Sequence, residues 1–118
     1  KGAKKDFIII DAGMNDFMRP ALYDAVHKII PIRKSKSKLK GTIEFVGPIC
    51  ESTCKFGSYK NYQKMSENDF VAITNVGAYG SSLSSNYNSR PLIAELLVNK
   101  NKIKYIRKKQ DLLKLINS

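Results

Sequence analysis

The sequence predicts a mainly β protein with one short helix near the front and one at the C-terminus. Three observations carry this. Short apolar runs at residues 7–10, 42–46, 70–73 and 92–98 are each bounded by turn-forming residues. Apolar residues recur at helical spacing in only two places: Leu22, Ala25, Val26 and Ile29, then Leu112, Leu113 and Ile116. No strand–helix alternation repeats, so neither a parallel doubly wound sheet nor a β/α barrel is expected within these residues.

Phe7-Ile8-Ile9-Ile10 reads as a short buried strand closed by Asp11-Ala12-Gly13. Pro20 suits the first position of a helix, which is expected to run through Ile29 and to stop at Pro31. Residues 34–38 alternate Lys and Ser and read as an exposed basic loop. Thr42-Ile43-Glu44-Phe45-Val46 partly alternates, with Ile43 and Phe45 on one face. It delivers the chain to Gly47-Pro48. Residues 53–68 read as polar and irregular. Phe70-Val71-Ala72-Ile73 is the next strand. Leu92 to Val98 and Ile103-Lys104-Tyr105-Ile106 read as a hairpin with a loop of about four residues.

A chain of 118 residues fits one domain with a modest core. Position 1 is Lys rather than Met, which reads as a piece of a longer polypeptide. No run approaches the roughly 18 apolar residues of a membrane span, so no membrane partner is expected. The net charge of +11 invites a nucleic-acid reading. Of the 21 cations, however, 17 are Lys and four are Arg, and they are spread along the chain. Base and phosphate clamps favour the planar Arg fork, so a solvated basic face is the preferred reading. Cys50 and Cys54 with one His give too few ligands for a structural zinc site, so no metal is expected and the thiols are read as free.

Polar and reactive side chains concentrate in short loops. Arg19 and Tyr23 lie i, i+4 on the expected helix and share a face. Together they suit gripping a carboxylate, although spacing alone favours a solvent-facing Arg beside a core-edge Tyr. His27 lacks an orienting partner and a nucleophile nearby in sequence and reads as structural. Cys50 is followed by Glu51; a carboxylate close in space to a thiol disfavours the thiolate, so such a pair would suit a proton donor better than a nucleophile. A buried Cys beside a surface Glu fits the local sequence as well. Gly77-Ala78-Tyr79-Gly80 presents one phenol in a tight turn, without the spacing of a phosphate loop.

The order of these segments is more specific than any one of them. Asp11-Ala12-Gly13-Met14-Asn15-Asp16, Met18-Arg19-Pro20-Ala21-Leu22-Tyr23, Val46-Gly47-Pro48-Ile49-Cys50-Glu51-Ser52, Gly77-Ala78-Tyr79-Gly80 and Ser85-Asn86-Tyr87-Asn88-Ser89-Arg90-Pro91 follow one another from about Lys5 to Arg107. The set resembles the C-terminal part of the diaminopimelate decarboxylases, relatives of the ornithine-type decarboxylases and of alanine racemase. Glu after the loop cysteine, where ornithine-type enzymes carry Asp, favours a substrate with an amino-acid group at its far end.

The resemblance implies residues 1–118 as the C-terminal β-sandwich or barrel domain of a fold-type III enzyme, without its β/α barrel. It implies pyridoxal 5'-phosphate as cofactor, with the Schiff-base lysine upstream of this chain. It implies conversion of meso-diaminopimelate to L-lysine and carbon dioxide in a bacterial cytoplasm, by a homodimer with shared active sites. The fragment alone is expected to be inactive. By resemblance Cys50 is the proton donor, Arg19 and Tyr23 hold the distal carboxylate, Glu51 takes the distal ammonium, and Tyr79 contacts substrate and cofactor. One departure stands out. The family follows Cys-Glu-Ser with Gly or Ser and then Asp, whereas Thr53 and Cys54 stand here, so the loop is expected to lose a carboxylate anchor. Three alternatives remain: a related amino-acid decarboxylase, a non-catalytic dimerisation domain from a split gene or pseudoenzyme, and a basic nucleic-acid-binding module.

Overall fold

The computed structural model describes residues 5–118. In chain order the elements are β1 (Lys5–Ile9), α1 (Arg19–Tyr23), β2 (Ile29–Pro31), β3 (Thr42–Val46), β4 (Lys55–Lys60), β5 (Val71–Ile73), α2 (Gly77–Ser82), β6 (Glu95–Asn99), β7 (Lys102–Arg107) and α3 (Leu112–Ile116). The chain is mainly β. β1, β3 and β4 form a three-stranded sheet with β3 in the middle, parallel to β1 and antiparallel to β4. β2 pairs with β5, and β6 with β7, both antiparallel.

β3 organises the core because its alternation is strict. Ile43 and Phe45 are both 0% exposed and pack with Phe17, Ile29, Phe56 and Tyr62. Phe45 meets the Tyr59 and Tyr62 rings edge-on, with centroids 5.8 and 4.9 Å away. The two phenols then reach β2. Tyr62 Oη donates to the Ile29 carbonyl at 3.0 Å, and Tyr59 Oη accepts from the Ile29 amide at 2.8 Å. Burial, with Tyr59 adding to it, pushes the Tyr62 phenol up to about 12.

The helix expected from Pro20 to Ile29 ends at Tyr23. Asp24 adopts a left-handed conformation (φ 51°) and its amide caps the Arg19 carbonyl. Ile29 is instead claimed by β2, opposite Ile73, and is buried in the core. Val26, placed on the apolar face by its spacing, is 95% exposed. A short apolar run that suits both periods was resolved by tertiary packing. The second correction is β4, within the stretch read as irregular. A bulge opposite the Phe45–Val46 step inserts Phe56 and breaks the alternation that would have marked the strand. The hairpin turn is shorter than expected, since Asn99 and Lys102 pair in the ladder. Residues 77–80, read as a tight turn, begin α2.

Candidate active site

Three loops meet around residues 11–16. The first is closed by its own carboxylate: Asp16 Oδ2 accepts from the Gly13 amide at 2.8 Å, and the Asp16 amide donates to the Gly13 carbonyl at 3.0 Å. The buried Asn15 ties this loop to residue 85. Asn15 Nδ2 donates to the Ser85 carbonyl at 3.2 Å, and the Ser85 amide returns a bond to the Asn15 carbonyl at 2.9 Å. Arg90 adds a third link, donating to the Asp11 carbonyl at 2.7 Å and pairing with Asp16 at 3.5 Å. These residues came out of the sequence as motif letters without roles. The structure gives them one, which is to hold the loops in register.

From the 11–16 loop the chain enters α1, which carries Arg19 and Tyr23. Phe17 anchors this entry in the core and also supports α2. A Cβ at Gly80 would lie 2.0 Å from the side chain of Val76, at the start of the same helix, and at an ordinary 3.6 Å from Phe17, so glycine relieves crowding within α2 itself. Tyr79, on this helix, reaches Arg19. The guanidinium lies 5.4 Å from the Tyr79 ring centroid and 5.7 Å from that of Tyr23. Two rings thus lie within cation–π reach of one cation. Its N–H fork suits a carboxylate.

The Gly47–Cys54 loop follows β3. The Gly47 amide donates to the Cys54 carbonyl at 2.8 Å, and the Cys54 amide to that of Glu51 at 3.0 Å. A Cβ on Gly47 would stand 2.5 Å from the Ala12 carbonyl oxygen and 2.6 Å from Cys54 Sγ. The base of the loop is apolar: Ile49 and Cys54 are buried against Met14. Cys54, at 2% exposure, therefore anchors the loop by burial, at the position where the resemblance implies a carboxylate in the family. Cys50, Glu51 and Ser52 are left exposed at its tip. Both cysteines are free. The Glu51 carboxylate accepts a hydrogen bond from the Tyr87 hydroxyl, a partner that sequence spacing did not reveal.

The sequence-expected residues thus fall into two groups. Arg19, Tyr23 and Tyr79 form one cluster. Cys50 and Glu51 share the loop tip with Tyr87 as neighbour. His27 has a structural place, with Nδ1 3.1 Å from the Thr74 carbonyl and its ring edge-on to Phe17 at 4.7 Å.

Residues 1–77 match the family described as pyridoxal-dependent decarboxylase, C-terminal sheet domain. A diaminopimelate decarboxylase of Helicobacter pylori is 46% identical over 112 residues, covering 95% of this chain and 28% of that protein. One of Aquifex aeolicus (strain VF5) is 42% identical over 111 residues, covering 94% of this chain and 26% of that protein. The crystal structure of the Helicobacter pylori enzyme complexed with L-lysine superposes with a TM-score of 0.84 at 44% identity, over 98% of this chain and 29% of that one. The chain spans less than a third of the length of these relatives. The family match and the superposition agree, and this chain belongs to the C-terminal sheet domain family of the pyridoxal-dependent decarboxylases.

Proposed function

We propose that residues 1–118 form the C-terminal β domain of a diaminopimelate decarboxylase, which converts meso-diaminopimelate to L-lysine and carbon dioxide. The observation that carries this reading is the Arg19 guanidinium in cation–π contact with both the Tyr23 and Tyr79 rings. A planar fork fixed in this way suits a distal carboxylate better than a mobile surface cation, because less freedom is lost on binding.

The exposed thiol of Cys50 holds the proton delivered to the substrate carbon that has lost carbon dioxide. The thiolate left behind regains a proton from solvent. Glu51 sits one residue away and supplies the negative charge that the distal ammonium requires. Tyr79, exposed on α2, fits a contact to both substrate and pyridoxal phosphate. When bound, that cofactor supplies the sink for the electron pair left by the departing carboxylate. Every described lysine is solvent-exposed, so the residues here fit a rim contact to the cofactor rather than its anchor. The Schiff-base lysine is expected upstream, on the β/α barrel.

A homodimer with shared active sites is part of the same proposal. The β6–β7 hairpin exposes Leu96, Leu97, Val98, Ile103, Tyr105 and Ile106, which suits docking against further protein. The proposed compartment is the cytoplasm. No described helix is long and apolar enough to cross a membrane.

The full reading frame is tested by complementation of a strain lacking the decarboxylase, and by carbon dioxide release from meso-diaminopimelate. A folded, cofactor-loaded protein that releases none removes the proposal. The 118 residues alone are expected to release none.

A further inference from the structure

We infer that Tyr87 is a positioning residue, orienting the Glu51 carboxylate toward the distal ammonium of the substrate; this rests on the role of Glu51 proposed above. In a chain with a net charge of +11, no described Lys or Arg forms an ion pair with Glu51. Its side-chain partner is the Tyr87 hydroxyl, from a loop far along the chain.

The choice of partner has a chemical consequence. A Lys or Arg would orient the carboxylate and cancel its charge at the same time. A phenol donates one hydrogen bond and is itself uncharged, so Glu51 keeps its charge and its remaining lone pairs for a cation. A donor bonded to an ionised acceptor also forms a stronger bond than a neutral pair, which fixes an otherwise exposed side chain.

Tyr87 is itself held. Its amide donates to Ser85 Oγ at 3.3 Å, and its carbonyl accepts from the Arg90 amide at 3.4 Å. Ser85 is bonded in both directions to the buried Asn15. Asn86 Nδ2 donates to the Arg90 carbonyl at 2.9 Å. Asn88 and Ser89 both take left-handed conformations (φ 59° and 55°), which turn the chain sharply after the phenol. Glu51 is aimed by a side chain whose backbone is tied to the core. Both partners lie on one chain, so the pair moves as a unit whichever barrel supplies the substrate.

The test uses the full-length, cofactor-loaded enzyme with Tyr87→Phe, Glu51→Gln and the double variant. KM and kcat are measured for meso-diaminopimelate. Competitive inhibition is measured for 2-aminopimelate, which lacks the distal ammonium. Tyr87→Phe should raise KM roughly tenfold, the scale of one hydrogen bond to a charged group. It should change kcat by less than about twofold, because the interaction is the same in ground and transition states. Inhibition by 2-aminopimelate should not change, and the double variant should be no worse than Glu51→Gln. Equal losses for both ligands would mean a merely structural role and overturn the inference. A raised KM in Glu51→Gln with an unchanged KM in Tyr87→Phe would overturn it while leaving Glu51 as the ammonium site. An unchanged KM in Glu51→Gln would remove the reading of Glu51 and the inference together.

Discussion

The Arg19 guanidinium lies 5.4 Å from the centre of the Tyr79 ring, joining α1 to α2 through a cation and a π face. Neither helix is long enough to be stable alone, since both have fewer than two turns. Their mutual placement depends on contacts of this kind and on Phe17 beneath them. In the full-length enzyme, Arg19→Lys keeps the charge and loses the fork. The expected result is a rise in KM of roughly ten- to a hundredfold with an unchanged melting temperature. Tyr79→Phe should preserve the stacking and Tyr79→Ala should not, so only the latter should affect the Arg19 site strongly. An Arg19→Lys enzyme with unaltered KM would contradict the carboxylate role.

The two cysteines should separate cleanly. Cys50 is exposed and Cys54 buried. With the chain folded, a maleimide should label one thiol quickly, and in denaturant two. Cys50→Ala should leave stability within about 0.5 kcal/mol and lower kcat by roughly two to four powers of ten. Cys54→Ser places a hydroxyl against Met14 and Ile49, and should cost about 1–3 kcal/mol in denaturant unfolding. Similar kinetic losses from both changes would contradict the assignment of Cys50 as proton donor.

Gly47→Ala should destabilise the chain by about 1–3 kcal/mol. The added carbon would press on the Ala12 carbonyl oxygen, which belongs to the backbone and cannot rotate away. Thermal unfolding gives the cost. Faster labelling of Cys54 in the variant would show that the loop base has opened.

The alkaline limb of stability should report Tyr62. Its phenol is raised to about 12 by burial, with Tyr59 adding to the effect, from an ordinary value near 10. A raised group favours the protonated form in the folded chain. Its contribution is therefore complete below pH ~10 and is lost as the pH climbs toward 12. Loss of the proton also removes the donor to the Ile29 carbonyl. Melting temperatures measured from pH 9 to 12 should fall, and Tyr62→Phe should flatten that fall. A parallel decline in both proteins would place its cause elsewhere.

The isolated 118 residues should self-associate through the β6–β7 hairpin, whose apolar side chains are exposed on both faces. Light scattering should show dimers or larger species, and Leu97→Lys with Ile106→Lys should reduce them. A monodisperse monomer would contradict this.

What the sequence revealed follows the range of the interactions involved. Strands with apolar residues two apart, such as Ile43 and Phe45 in β3, were legible because their pattern is local. The 20–29 helix was misread because local spacing does not record that Ile29 is needed opposite Ile73. β4 was hidden by a bulge that shifts its register. Arg19 and Tyr23 were legible as an i, i+4 pair, and the cation–ring contact confirms that they share a face. The Tyr79–Arg19 and Tyr87–Glu51 contacts were not legible, because each joins segments far apart in the chain. The substitute anchor of the reactive loop was hidden for a similar reason. Loss of a carboxylate is visible in sequence, whereas burial of the Cys54 sulfur against Gly47 is not.

That burial also decides how the protein responds to oxidants. The exposed thiol is open to peroxide, and the second thiol of the chain is packed beneath the loop, beside the Ala12 backbone. A sulfenic acid formed at Cys50 has no internal thiol ready to condense with it, so repair falls to small thiols in solution. Mild oxidation should silence the proton donor without unfolding the chain. The oxidised protein incubated with glutathione should gain the mass of one glutathione rather than form an internal disulfide, and excess reductant should restore it.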